Sequence, residues 1–500
     1  MTDTILTIYF VSLLILFVFG SHGFVMVYHY FKHRNDKENP LAIPKEFPIV
    51  TIQLPIFNER YVVPRLIDSV CEIEYPINKL EIQILDDSTD DTFILVENIV
   101  KEKQKLGFDI KHIHRTNRSG FKAGALKEGL VKSKGEFVAI FDADFVPNKN
   151  FLMETIPYFF SDKNIGMVQT RWEHLNENYS VLTRVQSLAL DGHFVIEQNV
   201  RNKAGFFINF NGTGGVWRKS CIEDAGNWQA DTLTEDLDLS YRAQLRGWKF
   251  KFLRDVTSPA ELPAEINALK SQQFRWTKGA IETAIKLLPM VWKSKLSIKK
   301  KVHSTFHLTN NFVFPFILVA AILNLPLMFI KHYGGYESYF QMMSIFIFAF
   351  IGSFLFYLFS QKDIYTDWRR RIYFFPLFMA GSMGFAVNNT RAVLEGLFGI
   401  KSEFVRTPKY SIKEKNDSWK NKQYTVKKIH WTVWVEFSLA IYCFIGILTS
   451  IYFLELASIP FQLLFFIGFA FMSYQSLRLA FAERIILLRA RFQRADVVSA

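Results

Sequence analysis

Cysteine, proline and glycine are all scarce in this sequence. The 500 residues include only three cysteines, Cys71, Cys221 and Cys443, and such scattered thiols cannot assemble a disulfide framework or a zinc cluster. With 16 prolines and 25 glycines set against 51 phenylalanines and 19 tyrosines, a collagen-like or disordered chain is excluded. The composition therefore indicates a large apolar core and a reducing, cytosolic environment for the water-soluble part.

The N-terminal region lacks charge where a membrane helix would lie. Residues 5–28 are almost entirely apolar and contain no Asp, Glu, Lys or Arg, and they provide the roughly twenty residues that a spanning helix needs. A cleaved signal peptide would be shorter, with a basic start and a small-residue cleavage site. Because Asp3 precedes the run and Lys32 and Arg34 follow it, we predict a membrane anchor over residues 1–34 that leads into the cytosol.

Two further apolar regions predict helical membrane hairpins, at residues 310–360 and 432–478. Another apolar run, within residues 372–398, has three arginines at 369–371 before it and the basic stretch 401–428 after it. A single crossing there would place one basic cluster outside, against the positive-inside bias. We therefore interpret 372–398 as interfacial or re-entrant and predict five spans.

The basic residues lie beside apolar segments and do not form one patch, although the net charge is +12. This distribution indicates a lipid bilayer as the partner and no nucleic acid. Residues 281–301 mix apolar side chains with many lysines and predict an amphipathic helix on the membrane surface, with a solvated helix face as the alternative. Residues 479–500 predict a short cytosolic tail. The expected protein is a multi-pass membrane protein whose soluble domain, residues 45–280, is cytosolic.

The soluble domain contains short runs of β-branched residues at 48–56, 81–85 and 136–141, with helix-like stretches between them. This alternation is typical of a parallel sheet with crossover helices. In such sheets ligands bind beyond the carboxyl ends of the strands, so the residues that follow each strand are candidates for a site.

Acidic residues follow two of these strands. Asp86 and Asp87 end the second strand, and Asp142 and Asp144 follow the third, which we expect to place them at adjacent strand ends in one crevice. A single acid after a strand is often only a turn or helix-cap residue. The Asp-x-Asp pair is more specific, because two carboxylates two positions apart can hold a hard divalent cation against a diphosphate.

Polar and glycine-rich segments suggest further contacts with a ligand. Lys122 begins a helix between two glycines and suits a cation that reaches phosphate oxygens. Residues 210–218, FNGTGGVWR, contain three glycines in one loop. Because glycine has no side chain, this loop is expected to allow another group to approach the backbone closely. Thr234 is expected to cap a helix that starts with Glu235 and Asp236, which the capping preference explains only in part.

The run Gln272, Gln273, Phe274, Arg275, Trp276 places amides, a guanidinium and an indole within about one helical turn. Sugars are bound by aromatic faces and planar hydrogen-bonding groups, so this run indicates a carbohydrate ligand. A buried structural tryptophan is the alternative for Trp276.

With these motifs the chain resembles a family 2 inverting glycosyltransferase of the cellulose synthase superfamily, and most of all its A and C groups of mannan and glucan synthases. The resemblance extends from about Pro48 to Lys409 and rests on eight motifs in order: LDDSTD at 85–90, GFKAGAL at 120–126, IFDADF at 140–145, VQTRW at 168–172, FNGTGGVWR at 210–218, TED at 234–236, QQFRW at 272–276 and FVRTPK at 404–409. It implies an α/β nucleotide-sugar-binding (GT-A) domain inserted in an α-helical membrane domain of about five spans with interfacial helices.

The resemblance also implies roles for individual residues. Asp86 or Asp87 would hold the nucleoside, Asp142 and Asp144 the diphosphate with Mg²⁺ or Mn²⁺, and Asp236 would be the general base. The diphosphate and acceptor sugar would be held by a second set of residues: Glu235, Gln272, Arg275 and Trp276. Residues 399–430 would form a cytosolic gating loop over the nucleotide, with these motif positions: Phe404, Arg406, Thr407 and Lys409.

The expected activity is metal-dependent transfer of a hexose from a nucleotide sugar, of the UDP-glucose or GDP-mannose type, to a β-linked polysaccharide that is then translocated. A non-processive transferase that adds one sugar to a membrane lipid, giving a glycolipid or a polyprenyl-phosphate sugar, is the alternative. A transporter with a nucleotide-sensing domain is disfavoured because the spans hold few charges, Glu436 among them. The membrane would be the plasma or inner membrane, or the Golgi membrane in a eukaryote.

Overall fold

The computed structural model describes residues 2–36, 41, 44, 46–402, 405–419, 422–424 and 429–498, with side chains described up to residue 479. Phe404 of the expected gating loop therefore lies outside the described residues. The first helix, α1 (Thr2–His33), contains the whole apolar run 5–28 of the predicted anchor.

A mixed sheet of seven strands forms the centre of the soluble domain. The strands are β1 Val50–Ile56, β2 Leu80–Asp86, β3 Asp109–His114, β4 Phe137–Ile140, β5 Ile165–His174, β6 Gly215–Arg218 and β7 Lys249–Ala260. Their order is β3-β2-β1-β4-β6-β5-β7, and only β6 runs antiparallel to its neighbours. The prediction of a parallel sheet from the three β-branched runs is confirmed for β1, β2 and β4.

The expectation that the acidic residues follow adjacent strands is wrong in one respect. Strands β2 and β4 do not pair with each other, because β1 lies between them and is hydrogen-bonded to both. The carboxyl ends of all three strands still point to the same edge of the sheet, since the strands are parallel. Asp87 and Asp142 therefore approach a common space from either side of the end of β1.

Helices cover both faces of the sheet, which explains why its central strands are buried on both sides. In β4, Phe137 and Ala139 belong to one apolar cluster, whereas Val138 and Ile140 belong to the other. The helices of this domain are α2 Val63–Cys71, α3 Thr92–Lys105, α4 Phe121–Lys132, α5 Phe151–Thr155, α6 Tyr158–Ser161, α7 Val181–Asp191, α8 Asn199–Lys203, α9 Lys219–Asp224, α10 Glu235–Leu245 and α11 Ile266–Lys293.

A π-helical segment, Gly192–Gln198, joins α7 to α8 without a loop. Such wide turns are rare and occur often at functional sites. Gly192 allows the segment to pack closely on a later helix, because a Cβ there would overlap the ring of Tyr357 and lie 2.9 Å from the ring of Phe356. The segment therefore connects the soluble domain directly to the apolar helices.

The C-terminal half is helical and apolar. Its helices are α12 Ile298–Thr309, α13 Val313–Gly334, α14 Glu337–Met343, α15 Ile347–Ile364, α16 Trp368–Ile372, α17 Phe375–Gly384, α18 Ala386–Leu397, α19 Thr432–Tyr452 and α20 Ile459–Val498. Within the described residues, five helical segments are long and apolar enough to cross a membrane: Thr2–His33, Ile298–Gly334, Glu337–Ile364, Thr432–Tyr452 and Leu456–Leu479. The predicted number of such helices is confirmed.

Small residues let these helices approach one another. A Cβ on Gly23 of α1 would lie 2.8 Å from the carbonyl oxygen of Gly352 in α15, and a Cβ on Gly384 of α17 would lie 2.6 Å from that of Gly468 in α20. Close packing at small residues is the usual way in which membrane helices associate.

Two predicted segments have different bounds in the structure. The helix expected over 281–301 is divided, because α11 continues from Ile266 to Lys293 and α12 starts only at Ile298. The region 372–398 consists of α17 and α18, which are too short to cross a bilayer singly. Its interfacial or re-entrant position, and the cytosolic side of the soluble domain, stay predictions.

Candidate active site

A cavity of about 490 Å³ opens at the carboxyl ends of β1, β2 and β4 and extends to the first turns of the apolar helices. It brings together most of the residues proposed from sequence. Those that line it are Asp87, Lys122, Asp142, Asp144, Glu235, Asp236, Gln272, Arg275, Trp276, Arg406, Thr407 and Lys409. Asp86 is not among its lining residues, and the roles of all these residues stay predictions.

Each carboxylate of the Asp-x-Asp pair binds a different lysine. Nζ of Lys122 lies 2.5 Å from Oδ1 of Asp142 and also donates to the carbonyl oxygen of Gly212, at 2.9 Å. Nζ of Lys409 lies 2.5 Å from Oδ2 of Asp144. Burial opposes a charge on Lys122, but the neighbouring carboxylates outweigh it and raise the pKa of its ammonium group above its usual range. Both lysines therefore neutralise the pair.

The Asp-x-Asp pair is suited to a divalent cation. Its two carboxylates lie just after β4, line the same cavity and supply the oxygen ligands that Mg²⁺ and Mn²⁺ prefer. The backbone N–H of Asp142 donates to Oγ1 of Thr213, at 2.9 Å, which fixes the chain where the strand ends. A cation here would replace the charge that the lysines now supply.

Asp86 and Asp87 occupy unlike environments. Asp86 is fully buried, where Oδ1 accepts from the backbone N–H of Ser88 at 2.7 Å and Oδ2 lies 2.8 Å from Nε2 of His112. Asp87 lines the cavity, but Nε and Nη2 of Arg115 donate to its two oxygens at 2.7 and 2.6 Å. Of the two, only Asp87 is placed to face a nucleoside in the cavity.

A second group of possible metal ligands, Asp86, His112 and His114, has its ligand atoms within 4.8 Å of one another. It lies where the last residue of β2 meets the edge strand β3, and none of its three residues lines the cavity. It therefore differs from the Asp-x-Asp pair in both position and ligand chemistry, since imidazoles suit softer metals than Mg²⁺.

Glu235 and Asp236 begin α10, lie side by side at the cavity and are partly buried. Burial, and then the charge of Glu235, raise the pKa of Asp236 to about 7. Burial likewise raises the pKa of Glu235. Thr234 stands at the helix cap as expected, but its side chain makes no capping hydrogen bond, and its Oγ1 lies 3.1 Å from that of Thr283. The capping role predicted for Thr234 is therefore wrong.

The glycine-rich loop lies against these acids. A Cβ on Gly212 would be 3.1 Å from Oδ2 of Asp236 and 3.4 Å from Nζ of Lys122, and Gly212 has a φ of 79°. A side chain at Gly212 would enter the space between Asp236, the expected base, and Lys122, the expected phosphate contact, and would strain the backbone. The close approach inferred from the sequence is thus an approach to the acid and the lysine.

Gln272, Arg275 and Trp276 all project from α11 into the cavity. Trp276 is only partly buried, so it is not a core tryptophan. Nη1 of Arg275 donates to the carbonyl oxygen of Val405, at 3.0 Å, which joins α11 to the expected gating loop.

That loop is inserted against the sheet. Arg406 donates to the carbonyl oxygen of Phe57 at 2.7 Å and lies 3.1 Å from Oε1 of Glu59. Lys409 donates to the carbonyl oxygen of Glu261 at 3.0 Å, in addition to its bond with Asp144. The described part of the loop therefore closes one side of the cavity.

Several cavity residues were missed by sequence reasoning. Glu59 is one, and burial raises the pKa of its carboxyl to about 8 although Arg406 lies beside it. Others are His193, Glu197 and His307, which belong to helices with no recognisable motif. Nothing in the local sequence marks them, because they reach the cavity only through packing of segments far apart in the chain.

The mixed sheet of seven strands, with the cavity at the carboxyl ends of β1, β2 and β4, has a GT-A-like fold. Residues 48–279 match the family model described as glycosyltransferase like family 2. The family 2 resemblance drawn from the motifs is confirmed over these residues, and the seven-stranded sheet with five long apolar helices among the described residues confirms the fold class.

Curated relatives are glucomannan 4-beta-mannosyltransferases by name. The chain is 41% identical over 293 residues to a probable glucomannan 4-beta-mannosyltransferase 2 of Oryza sativa subsp. japonica, which covers 58% of this chain and 50% of the relative. It is 44% identical over 262 residues to glucomannan 4-beta-mannosyltransferase 2 of Arabidopsis thaliana, covering 51% and 49%. The chain thus spans about half the length of the curated relatives it matches.

A solved structure shares the fold. The mannosyltransferase PcManGT from Pyrobaculum calidifontis, in complex with GDP-Man and Mn²⁺, superposes with a TM-score of 0.53 at 17% identity, covering 78% of this chain and all of that one. This similarity concerns the arrangement of the backbone.

Proposed function

We propose that the protein is an inverting, membrane-embedded β-hexosyltransferase that extends a β-linked polysaccharide of the mannan or glucan type. One observation carries the proposal. A single cavity holds a carboxylate pair suited to a divalent cation, an acid whose pKa lies near neutrality, and an aromatic and guanidinium pair suited to a sugar.

Asp236 is the proposed general base. A hydroxyl group of the acceptor attacks the anomeric carbon of the donor hexose, the bond to the diphosphate oxygen breaks, and the hydroxyl proton passes to the carboxylate of Asp236. Because the attack is a single displacement from the opposite face, the anomeric configuration inverts. A base with a pKa near 7 is ionised in a large fraction of molecules at neutral pH and still accepts a proton readily.

The leaving nucleoside diphosphate needs positive charge. Lys122 at the start of α4 and Arg275 on α11 border the same cavity and are the proposed phosphate contacts, with Asp142 and Asp144 holding Mg²⁺ or Mn²⁺. The cation, when bound, stabilises negative charge on the diphosphate as it leaves. Asp87 is the proposed contact to the nucleoside.

The proposed donor is of the GDP-mannose type, with UDP-glucose as the other candidate. The relatives named above are mannosyltransferases, and the solved structure with the same fold contains GDP-Man and Mn²⁺. Glucose and mannose differ in the configuration of one hydroxyl group, so the donor has to be measured.

A polymer is favoured over a lipid acceptor. Trp276 and Arg275 line the cavity beside the inserted loop. A surface that can bind the end of a sugar chain favours an enzyme that adds many hexoses to one polysaccharide over an enzyme that adds one hexose to a lipid. Glucomannan synthesis by the named relatives supports the same choice. The soluble domain is proposed to lie in the cytosol, where nucleotide sugars are made, with the helices in a Golgi membrane or an equivalent one.

The test is a donor screen with the whole chain in lipid nanodiscs. GDP-mannose and UDP-glucose are supplied in turn with Mg²⁺ or Mn²⁺, and both nucleotide release and product length, by mass spectrometry, are followed. Release of nucleotide from one donor with a ladder of oligosaccharides supports the proposal. A single hexose on a lipid would establish the alternative, and no transfer from either donor would refute both.

A further inference from the structure

The π-helical segment Gly192–Gln198 places two polar side chains in the cavity that no step of the proposed reaction uses. Nδ1 of His193 lies 2.9 Å from Oε2 of Glu197, and Nε2 of His193 lies 2.9 Å from Oδ1 of Asn211. All three residues line the cavity. They form one connected group, which we call the His193 cluster: His193, Glu197 and Asn211.

The cluster lies next to the proposed base. Asn211 directly precedes Gly212, whose Cβ position is 3.1 Å from Oδ2 of Asp236. A sugar whose hydroxyl group is held near Asp236 would therefore have further hydroxyl groups within reach of Asn211 and its partners. This is the region that an acceptor must occupy, because the base takes a proton from the acceptor.

The cluster also has hydrogen-bonding capacity that the fold does not use. Nδ2 of Asn211 is buried and has no partner among the described residues, whereas its Oδ1 accepts from Nδ2 of Asn209 at 2.9 Å. A buried amide donor without a partner is costly, and a ligand hydroxyl would satisfy it. Glu197 is held as a carboxylate, because His193 and Arg201 outweigh its burial and keep its pKa well below the usual range.

The same side of the cavity leads to the apolar helices. The π-helical segment packs on α15, and His307, Asn310 and Asn311 line the cavity directly before α13 begins at Val313. Polar side chains thus continue from the His193 cluster towards helices that are long and apolar enough to cross a membrane. A growing chain would leave the site in this direction.

We infer that His193, Glu197 and Asn211 form an acceptor subsite that binds the hydroxyl groups of a hexose unit of the polysaccharide. The inference rests on the proposed function, and it adds the residues that recognise the acceptor. Carboxylate and amide groups fix adjacent hydroxyls through directed hydrogen bonds, and a bond to a charged group contributes more than one between neutral groups. Because Glu197 supplies the charged acceptor for these hydroxyl groups, binding of the acceptor sugar is expected to depend on Glu197.

Binding of β-1,4-linked mannohexaose to the whole chain in nanodiscs tests the inference, with GDP binding measured in parallel by calorimetry. Glu197→Gln is expected to weaken mannohexaose binding by about tenfold or more while GDP binding is unchanged, because the variant removes the charge and keeps the shape. His193→Ala is the second variant, and it removes the contacts of His193 with Glu197 and Asn211. It leaves the ion pair between Glu197 and the buried Arg201 intact, in which Nε of Arg201 lies 3.3 Å from Oε1 of Glu197.

Asp191→Asn is the matched control. Asp191 is a buried carboxylate of the same helical stretch and is bonded to Gln361 and His174, but it does not line the cavity. Its variant is expected to bind both ligands as the wild type does. The inference is overturned if the wild type does not bind mannohexaose, if the Glu197 and His193 variants bind it normally, or if they lose GDP binding to the same extent. Glu197-dependent binding of mannohexaose by a protein that transfers no hexose would uphold the subsite and refute the proposed function.

Discussion

Nζ of Lys409 lies 2.5 Å from Oδ2 of Asp144, across 265 residues of sequence. The contact places an ammonium group from the expected gating loop on a carboxylate that is proposed to hold the divalent cation. An ammonium ion and a metal ion cannot use the same oxygen equally well, so loop insertion and metal binding are expected to compete.

Lys409→Met is therefore expected to raise the affinity for Mn²⁺ severalfold in the absence of nucleotide, because it removes the competing charge and keeps most of the apolar side chain. Calorimetric titration of Mn²⁺ into the protein in nanodiscs measures the change. Lys413→Met, in an exposed position of the same loop, is the control and should bind Mn²⁺ as the wild type does. Equal affinity in both variants would show that Lys409 does not compete with the cation.

The pH dependence of hexose transfer should follow the ionisation of the Asp236 carboxyl group. An acid acts as a base only when ionised, so with a pKa of about 7 the activity is expected to fall as the pH decreases through 7. Glu235→Gln should shift this limb of the profile to lower pH, because the charge of Glu235 contributes to the raised pKa. The measurement is kcat/KM against pH, with Asp231→Asn as an exposed acid of the same region. An unshifted limb in the Glu235 variant would contradict this origin of the pKa.

Trp276→Ala is expected to abolish chain elongation and to spare nucleotide binding, since the indole is partly exposed in the cavity and not packed in the core. Product length and GDP affinity are the measurements. Trp217 is fully buried, and Trp217→Ala should instead lower the free energy of unfolding by about 3–5 kcal/mol. Normal elongation by the Trp276 variant would refute its role as a sugar platform.

A buried ion pair joins the soluble domain to the apolar helices. Nζ of Lys270 in α11 lies 2.5 Å from Oε2 of Glu436 in α19 and 3.2 Å from Oγ of Ser476 in α20. Lys270→Met leaves the carboxylate buried without its partner and should cost about 3–5 kcal/mol of stability. Adding Glu436→Gln to that variant should recover much of the loss, as followed by thermal unfolding. A double variant no more stable than the single one would show that the pair is not the source of the loss.

Much of the site could be predicted from the sequence because its residues belong to short, contiguous motifs. Asp142 and Asp144 follow the end of a strand, Glu235 and Asp236 start a helix, and the α11 residues form one short run inside a helix. The structure gathers all of them in one cavity. Strands β1, β2 and β4 were recognisable for the same reason, since each is a short contiguous run in which buried Val, Ile or Leu residues recur.

The remaining elements have no such local signature. Strand β6 begins inside the glycine-rich run 210–218, and β3 and the first part of β7 mix charged with apolar residues, so their composition does not mark them as strands. The order β2-β1-β4 depends on pairing between distant segments. Likewise, the approach of Lys409 to Asp144 and of His193 to Asn211 arises from tertiary packing, which no local pattern encodes.

The most direct test of the account is the Asp236→Asn variant, assayed for hexose transfer and for GDP binding in the same preparation. The substitution keeps the shape of the side chain and removes its basicity, so transfer should fall by roughly 10²–10⁴ while GDP affinity is unchanged. Asp231→Asn, an exposed acid five residues earlier, should retain both activities. Transfer near the wild-type rate by the Asp236 variant would contradict the assignment of Asp236 as the base that drives the reaction.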